Sequence, residues 1–136
     1  MTKKKAEKPV LMAGAVAAGF SSPAEQYVEA PLDLNELLVR KPAATFFVRA
    51  AEDSMVGAGI CSGDILVVDR SLEAADGSIV IAAVDNEFTV KFLRTASSGV
   101  QLEAANRRYK PILFDEGMEL RIFGVVTAVI HQFVKS

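Results

Sequence analysis

One serine and one lysine are the residues of this chain whose types and spacing suggest covalent chemistry. Ser54 follows a short acidic stretch, and Lys91 stands 37 residues later inside an otherwise strand-like segment. A hydroxyl is a weak nucleophile until a base takes its proton, and a neutral lysine amine can be that base. The pKa of Lys91 must then lie well below its usual value, which full burial can achieve. The pair predicts a nucleophilic serine whose substrate is the chain's own N-terminal arm.

Both residues also have plain structural interpretations. Side chains alternate along a strand, so Lys91 shares a face with Thr89 and Leu93. A solvated strand lysine is compatible with that pattern. Ser54 is equally compatible with a simple polar turn in which its hydroxyl bonds nearby backbone. Periodicity alone leaves these alternatives open.

Other reactive side chains are scarce. Cys61 is the only cysteine and His131 the only histidine, so no disulfide can form within the chain, which fits a reducing, cytoplasmic compartment. A zinc site of cysteine and histidine ligands cannot be assembled from one of each, and no metal or other cofactor is expected. We interpret Cys61 as a small turn residue and His131 as a packed or surface histidine on a strand.

The composition sets broad limits. A chain of 136 residues with 51% hydrophobic residues suits one folded domain with one core. No apolar run approaches the ~20 residues of a spanning helix, so no membrane segment is expected. A net charge of −2 argues against nucleic acid as the main partner. Arg107, Arg108 and Lys110 cluster around Tyr109, and we interpret this basic cluster as a solvated loop.

The start of the chain differs from the rest. Residues 1–22 predict a flexible N-terminal arm, because lysines and small residues bury little area and lose much entropy on ordering. Residues 23–136 form the predicted β domain. Lysines before a short apolar stretch with Ala15-Val16-Ala17 also resemble a secretory signal peptide, so export stays an alternative.

The rest of the chain predicts a mainly β fold, because apolar residues alternate in short runs separated by turn residues. The predicted strands are 45–49, 64–69, 78–84, 87–94, 100–103 and 120–134. Asp85-Asn86 predicts a tight turn, and Gly124 predicts a bend or bulge in the last strand. A short helix is predicted over residues 31–38, with Asp33 as its cap.

A series of motifs follows the same order as in a known protein family. The motifs are Asp53-Ser54-Met55, Gly59-Ile60, Gly63-Asp64-Ile65-Leu66, Gly77-Ser78-Ile79-Val80 and Glu87-Phe88-Thr89-Val90-Lys91. With this order and a similar serine–lysine separation, the chain resembles the LexA/UmuD family of Ser-Lys self-cleaving proteins, peptidase family S24. The resemblance implies a LexA/signal-peptidase-like folded β-sheet domain. It also implies that Ser54 is the nucleophile and Lys91 its base.

The resemblance further implies a cleavage site and partners. Ala18-Gly19, followed by Ser22-Pro23-Ala24, is similar to the family's scissile bond, whereas Ala13-Gly14 lacks that following context. In the family, a RecA–single-stranded DNA filament promotes docking of the arm. The trimmed product is then a homodimer that serves a UmuC-like Y-family DNA polymerase in SOS mutagenesis and translesion synthesis. Only 18 residues precede Gly19, too few for a helix-turn-helix domain, so direct sequence-specific DNA binding is not expected.

One position departs from the family pattern. The family often has glycine two residues before the serine, where this chain has Glu52. A position that needs positive φ would strain Glu52, and its carboxylate would help to keep Lys91 charged. Both effects would slow cleavage. The alternative function is a non-enzymatic dimeric interaction module that regulates the polymerase.

Overall fold

The computed structural model describes residues 9–12, 28–114 and 119–135. The chain divides into two compact units, with the boundary between Arg40 and Lys41. The helices and strands of the first unit are β1 (Val10–Met12), β2 (Val28–Pro31) and α1 (Leu34–Leu38). Those of the second are β3 (Thr45–Arg49), β4 (Ile65–Asp69), β5 (Ile79–Val84), β6 (Glu87–Ala96), β7 (Gly99–Glu103), β8 (Ile112–Leu113) and β9 (Leu120–Ile130), with short 3₁₀ turns at Pro42–Ala44 and Val56–Ala58.

The first unit joins two short strands and a capped helix. β1 pairs antiparallel with β2, and the amide of Leu32 donates to the carbonyl of Pro9 at 2.7 Å. The predicted cap is confirmed, because the Asp33 side chain accepts from the amides of Asn35 and Glu36 at 3.0 and 3.4 Å. The helix is shorter than predicted because this cap fixes its start. Apart from 9–12, the predicted arm of residues 1–22 lies outside the described residues, and its boundary with the β domain stays a prediction.

The second unit is built on one antiparallel sheet. Its strands lie in the order β3-β4-β9-β5-β6-β7-β8, and every pair is antiparallel. β9 comes last along the described chain but lies between β4 and β5. The prediction of a mainly β fold is confirmed. Among the described residues, no helix has both the length and the apolar character that crossing a bilayer requires.

The turn residues act largely as predicted. Asp85 and Asn86 adopt φ values of 48° and 72°, as a tight hairpin turn between β5 and β6 requires. The β5–β9 register shifts next to Gly124, which confirms a bulge there. The last strand ends at Ile130, four residues earlier than predicted, because its partner β4 begins opposite it at Ile65.

Two apolar clusters cover both faces of the central strands. One contains Leu66, Val68 and Ile81 together with Met55 and Ile60 from the segment that joins β3 to β4. The other contains Val80, Ala82, Leu93 and Leu102. Met55 is 1% exposed, and its burial anchors the segment that carries the neighbouring Ser54.

Candidate active site

The structure brings Ser54 and Lys91 into direct contact. Lys91 Nζ donates to Ser54 Oγ at 3.1 Å and to Thr89 Oγ1 at 2.6 Å. Ser54 is 3% exposed and Lys91 is 7% exposed, so the lysine is buried rather than solvated. Lys91 lies on β6 opposite Val80 of β5, and Thr89 shares its face as the alternation predicts. Sequence reasoning did not identify Thr89 as part of the site.

The surroundings of Lys91 disfavour its charged form. Burial lowers the pKa of Lys91, and the nearby Glu52 carboxylate acts in the opposite direction and raises it. Among the described residues, no carboxylate lies within ion-pair distance of this amine. A buried amine that faces two hydroxyls is therefore neutral in a larger fraction of molecules at a given pH than a solvated lysine is, and only the neutral form can act as a base.

Glu52, which stands where the family often has glycine, does adopt a positive φ in the structure. Its φ is 67°, in the left-handed region where glycine is favoured and other residues carry strain. The side chain is exposed, yet its charge opposes the lowered pKa of Lys91. The structure thus gives Glu52 both of the features that were expected to slow cleavage, a strained backbone and a charge that favours protonated Lys91.

A loop remote in sequence supports the serine turn. Tyr109 donates its hydroxyl to Asp53 Oδ1 at 2.7 Å, and Asn106 Nδ2 donates to the Asp53 carbonyl at 2.9 Å. The bond to Asp53 raises the pKa of Tyr109, because it stabilises the neutral phenol. The Tyr109 ring centroid also lies 5.8 Å from Lys91 Nζ.

The same loop contacts the turn after the serine. The amide of Gly57 donates to the carbonyl of Ala105 at 2.8 Å, and a Cβ at Gly57 would lie 2.6 Å from that oxygen. The basic cluster of Arg107, Arg108 and Lys110 is exposed as predicted, whereas Tyr109 beside it is only partly exposed and bonds to Asp53. The contacts of Asp53 with Asn106 and Tyr109 join residues 53 and 56 positions apart, and Gly57 and Ala105 are also distant in sequence, so no local pattern indicates these contacts.

A cleft leads to the serine–lysine pair. Its walls include Val48, Ile81, Phe88 and Val90, beside Ser54 and Lys91. The cleft is also lined by the polar or charged residues Arg49, Glu52 and Thr89. Apolar walls interrupted by polar groups suit an extended peptide segment with small side chains. The predicted cleavage residues, Ala18 and Gly19, lie outside the described residues.

The two remaining candidates from the sequence lie together at one end of β4 and β9. Cys61 is exposed, with a free thiol. His131 follows β9, and its Nδ1 makes a short contact with Asp64 Oδ1. Asp64 is 4% exposed, and its other carboxylate oxygen accepts from the amide of Cys61 at 2.8 Å.

Comparison with known proteins yields a family and named relatives. Residues 9–127 match the Peptidase S24-like family. The chain is 53% identical over 115 residues to Protein SamA of Salmonella typhimurium, covering 85% of this chain and 79% of that protein. It is 45% identical over 113 residues to Protein MucA of Escherichia coli, covering 82% and 77%. It is 36% identical over 127 residues to the LexA repressor of Vibrio parahaemolyticus, covering 93% and 61%.

These similarities bear on fold and activity at a coarse level. The antiparallel sheet is consistent with the S24 fold. The family match and the relatives support a self-cleaving protein of the serine-peptidase type, in the class of SOS mutagenesis proteins. They also agree with the resemblance inferred from the motifs around Ser54 and Lys91.

Proposed function

Because the chain belongs to the Peptidase S24-like family, we propose that Ser54 and Lys91 form a Ser-Lys dyad that cuts the chain's own Ala18–Gly19 bond. The 3.1 Å contact between the two buried side chains is the observation that carries this proposal. Burial lowers the pKa of Lys91, which favours the neutral amine that a general base needs. The cleft beside the pair, with apolar and polar walls, offers room for an extended segment of small residues.

The chemistry follows from the positions of these two groups. Neutral Lys91 Nζ takes the proton of Ser54 Oγ, and Oγ attacks the carbonyl carbon of Ala18. The bond to the Gly19 nitrogen then breaks, and that nitrogen leaves with the proton held by Lys91. A water molecule, deprotonated in turn by Lys91, attacks the resulting ester and releases residues 1–18 with a free Ala18 carboxylate. Ser54 regains its proton at the end of the cycle.

Tethering supplies much of the rate. The arm and the serine belong to one chain, so attack within that chain is effectively unimolecular and can gain roughly 7–11 kcal/mol. The small side chain of Ala18 and the absence of one at Gly19 suit close approach to the serine. Backbone amides near Ser54 would stabilise the oxyanion of each tetrahedral intermediate.

The biological role in this proposal follows the family resemblance. Self-cleavage takes place in the cytoplasm and is stimulated by a RecA–single-stranded DNA filament. The trimmed chain, residues 19–136, acts as a homodimer that serves translesion synthesis with a UmuC-like Y-family DNA polymerase. The identities to SamA and MucA, at 53% and 45% over most of the chain, favour this role.

Incubating the purified full chain at alkaline pH and reading masses tests the cleavage. We expect a product that begins at Gly19, formed faster when an activated RecA filament is added. The product should be absent from Ser54→Ala and present in Ser98→Ala, which alters an exposed turn serine far from the site. Circular dichroism should show that Ser54→Ala remains folded.

Three other outcomes would contradict the proposal in different ways. A product that begins at Gly14 would move the cut to Ala13–Gly14. A chain that stays intact yet dimerises would favour the non-enzymatic interaction module. Removal of the arm inside cells even from Ser54→Ala would favour an exported protein cut by a cellular signal peptidase.

A further inference from the structure

A second group of reactive side chains lies outside the proposed active site. The strand register brings it together, because Ile65 of β4 pairs with Ile130 of β9. Asp64 immediately precedes Ile65, and His131 immediately follows Ile130, so the two side chains meet at the end of this strand pair. Cys61 lies in the turn that leads into β4. We call these three residues, Cys61, Asp64 and His131, the Cys61 cluster.

The cluster has the donor atoms and the spacing of a metal site. One sulfur, one carboxylate oxygen and one imidazole nitrogen all lie within 4.8 Å of one another. Ligands around a tetrahedral Zn²⁺, with bonds of about 2.0–2.3 Å, stand roughly 3.3–3.8 Å apart. Because the Asp64 and His131 atoms touch directly and only the carboxylate is fixed by burial, small rotations of the exposed Cys61 and His131 side chains would adjust the three atoms to this spacing.

We propose that Cys61, Asp64 and His131 bind a divalent transition-metal cation of the Zn²⁺ class, with water as the fourth ligand. The expectation of no metal counted only cysteine and histidine as ligands and left out the carboxylate between them in space. Mixed sulfur, nitrogen and oxygen donors suit Zn²⁺ better than Mg²⁺ or Ca²⁺, which prefer oxygen alone. Three protein ligands with one open position is an arrangement that zinc accepts.

Part of this site is already organised. Asp64 is 4% exposed, and its two carboxylate oxygens are held by the Cys61 amide and by His131. The backbone there is fixed as well, because the Ala50 amide donates to the Asp64 carbonyl at 2.8 Å. Cys61 and His131 are exposed, so an ion can enter from solvent.

Charges of both signs at the Cys61 cluster affect the binding of a dication. Arg49 and Lys135 line the adjacent cavity, and their positive charges oppose cation binding. Arg49 is held by a 2.8 Å bond from its Nη1 to the Gly63 carbonyl. On binding, the Cys61 thiol releases its proton to solvent, and the thiolate and the Asp64 carboxylate then bring two negative charges to the ion.

Titration with Co²⁺ tests the site, with the untagged full chain carrying Ser54→Ala so that its length stays constant. We expect one Co²⁺ per chain, a near-ultraviolet thiolate charge-transfer band and the intense visible bands of tetrahedral cobalt. Zn²⁺ should displace the cobalt and abolish these bands. Equilibrium dialysis with metal analysis gives the stoichiometry.

Substitutions assign the ligands. Cys61→Ser should abolish the charge-transfer band, and Cys61→Ser and His131→Gln should each weaken binding by roughly tenfold or more. Ser62→Ala, at a residue that lines the same cavity, should bind as the parent does. Cys61 and His131 are both exposed, so we do not expect their variants to misfold, and circular dichroism checks this. Absence of the band, or affinity retained in either ligand variant, would overturn the three-ligand site.

Discussion

Lys91 and Asp64 are both buried ionisable residues, but their surroundings differ in whether they compensate the charge. The Lys91 amine faces hydroxyls, with no carboxylate of the described residues at ion-pair distance. The Asp64 carboxylate is as deeply buried, but it faces an imidazole and a backbone amide. Burial lowers the pKa of Lys91, whereas the bond from the Cys61 amide lowers the pKa of Asp64. A buried group without a counter-charge is ready to exchange a proton, and a compensated one keeps its charge.

The strongest test removes the uncompensated amine. Lys91→Met keeps most of the side-chain volume but has no base, so we expect self-cleavage to slow by about 10²–10⁴-fold. The fold should persist, because the change removes a buried polar group rather than a packing partner. Mass spectrometry measures the appearance of residues 19–136. Lys110→Met, at an exposed lysine, is the control and should cleave normally.

The next test removes the negative charge of Glu52 that acts on the Lys91 amine. The wild-type cleavage rate should rise with pH as neutral Lys91 accumulates, and it should level off above the pKa of this lysine. Glu52 raises that pKa, so Glu52→Gln should move the whole profile to lower pH and speed cleavage several-fold near neutrality. A wild-type rate that is flat from neutral to alkaline pH would remove Lys91 as the base.

Glu52→Gly separates charge from strain at the same position. Both variants remove the carboxylate, but only glycine also relieves a φ of 67°. We expect Glu52→Gly to unfold at higher urea concentration than Glu52→Gln, by about 1 kcal/mol in the free energy of unfolding. Equal stability of the two variants would mean that this turn tolerates the side chain without strain.

A smaller effect is expected where the serine turn is supported from outside. Tyr109→Phe removes the 2.7 Å bond to Asp53, so we expect a loss of about 1–2 kcal/mol in stability and cleavage a few-fold slower. Urea unfolding and the mass assay measure the two effects. Arg108→Gln removes an exposed ion pair of 3.9 Å with the same carboxylate and should have almost no effect. Similar losses in both variants would contradict the role assigned to Tyr109.

The smallest effect concerns a second compensated carboxylate. Asp69 is buried, and the hydroxyl and amide of Ser71 donate to its Oδ1 at 2.6 and 2.7 Å, which lowers its pKa. A lowered carboxyl pKa contributes stability above its unfolded value, and this contribution disappears as the pH falls through the folded value. Ser71→Ala should therefore destabilise the chain at neutral pH, and the difference should shrink in acid. Urea unfolding at several pH values tests whether it does.

The fold was predicted from the sequence to a large extent because its signals are local. Alternating side chains predict β3 with the bounds that the structure has, and Asp85-Asn86 predicts the hairpin between β5 and β6. The end of β9 was not predictable in this way, because it depends on where its partner begins. Apolar residues beyond Ile130 continue the pattern without a strand opposite them.

The candidate site likewise has a part that the sequence predicts and a part that it does not. The family motifs identify Ser54 and Lys91 as site residues, whereas side-chain alternation alone also allows a solvated lysine. Tyr109 reaches Asp53 across 56 positions, and His131 reaches Asp64 across 67. Such contacts depend on strand order and register, which no local pattern of the sequence determines.

The strand order also determines when Ser54 and Lys91 can come together during synthesis of the chain. Ser54 precedes β4, Lys91 lies in the hairpin of β5 and β6, and β9 supplies the hydrogen bonds that join these two parts of the sheet. β9 leaves the ribosome after all the other described strands. A growing polypeptide thus contains both side chains before it contains the strand that joins their two parts of the sheet. In the proposed self-cleavage, this order of synthesis would delay any cut until the sheet is complete.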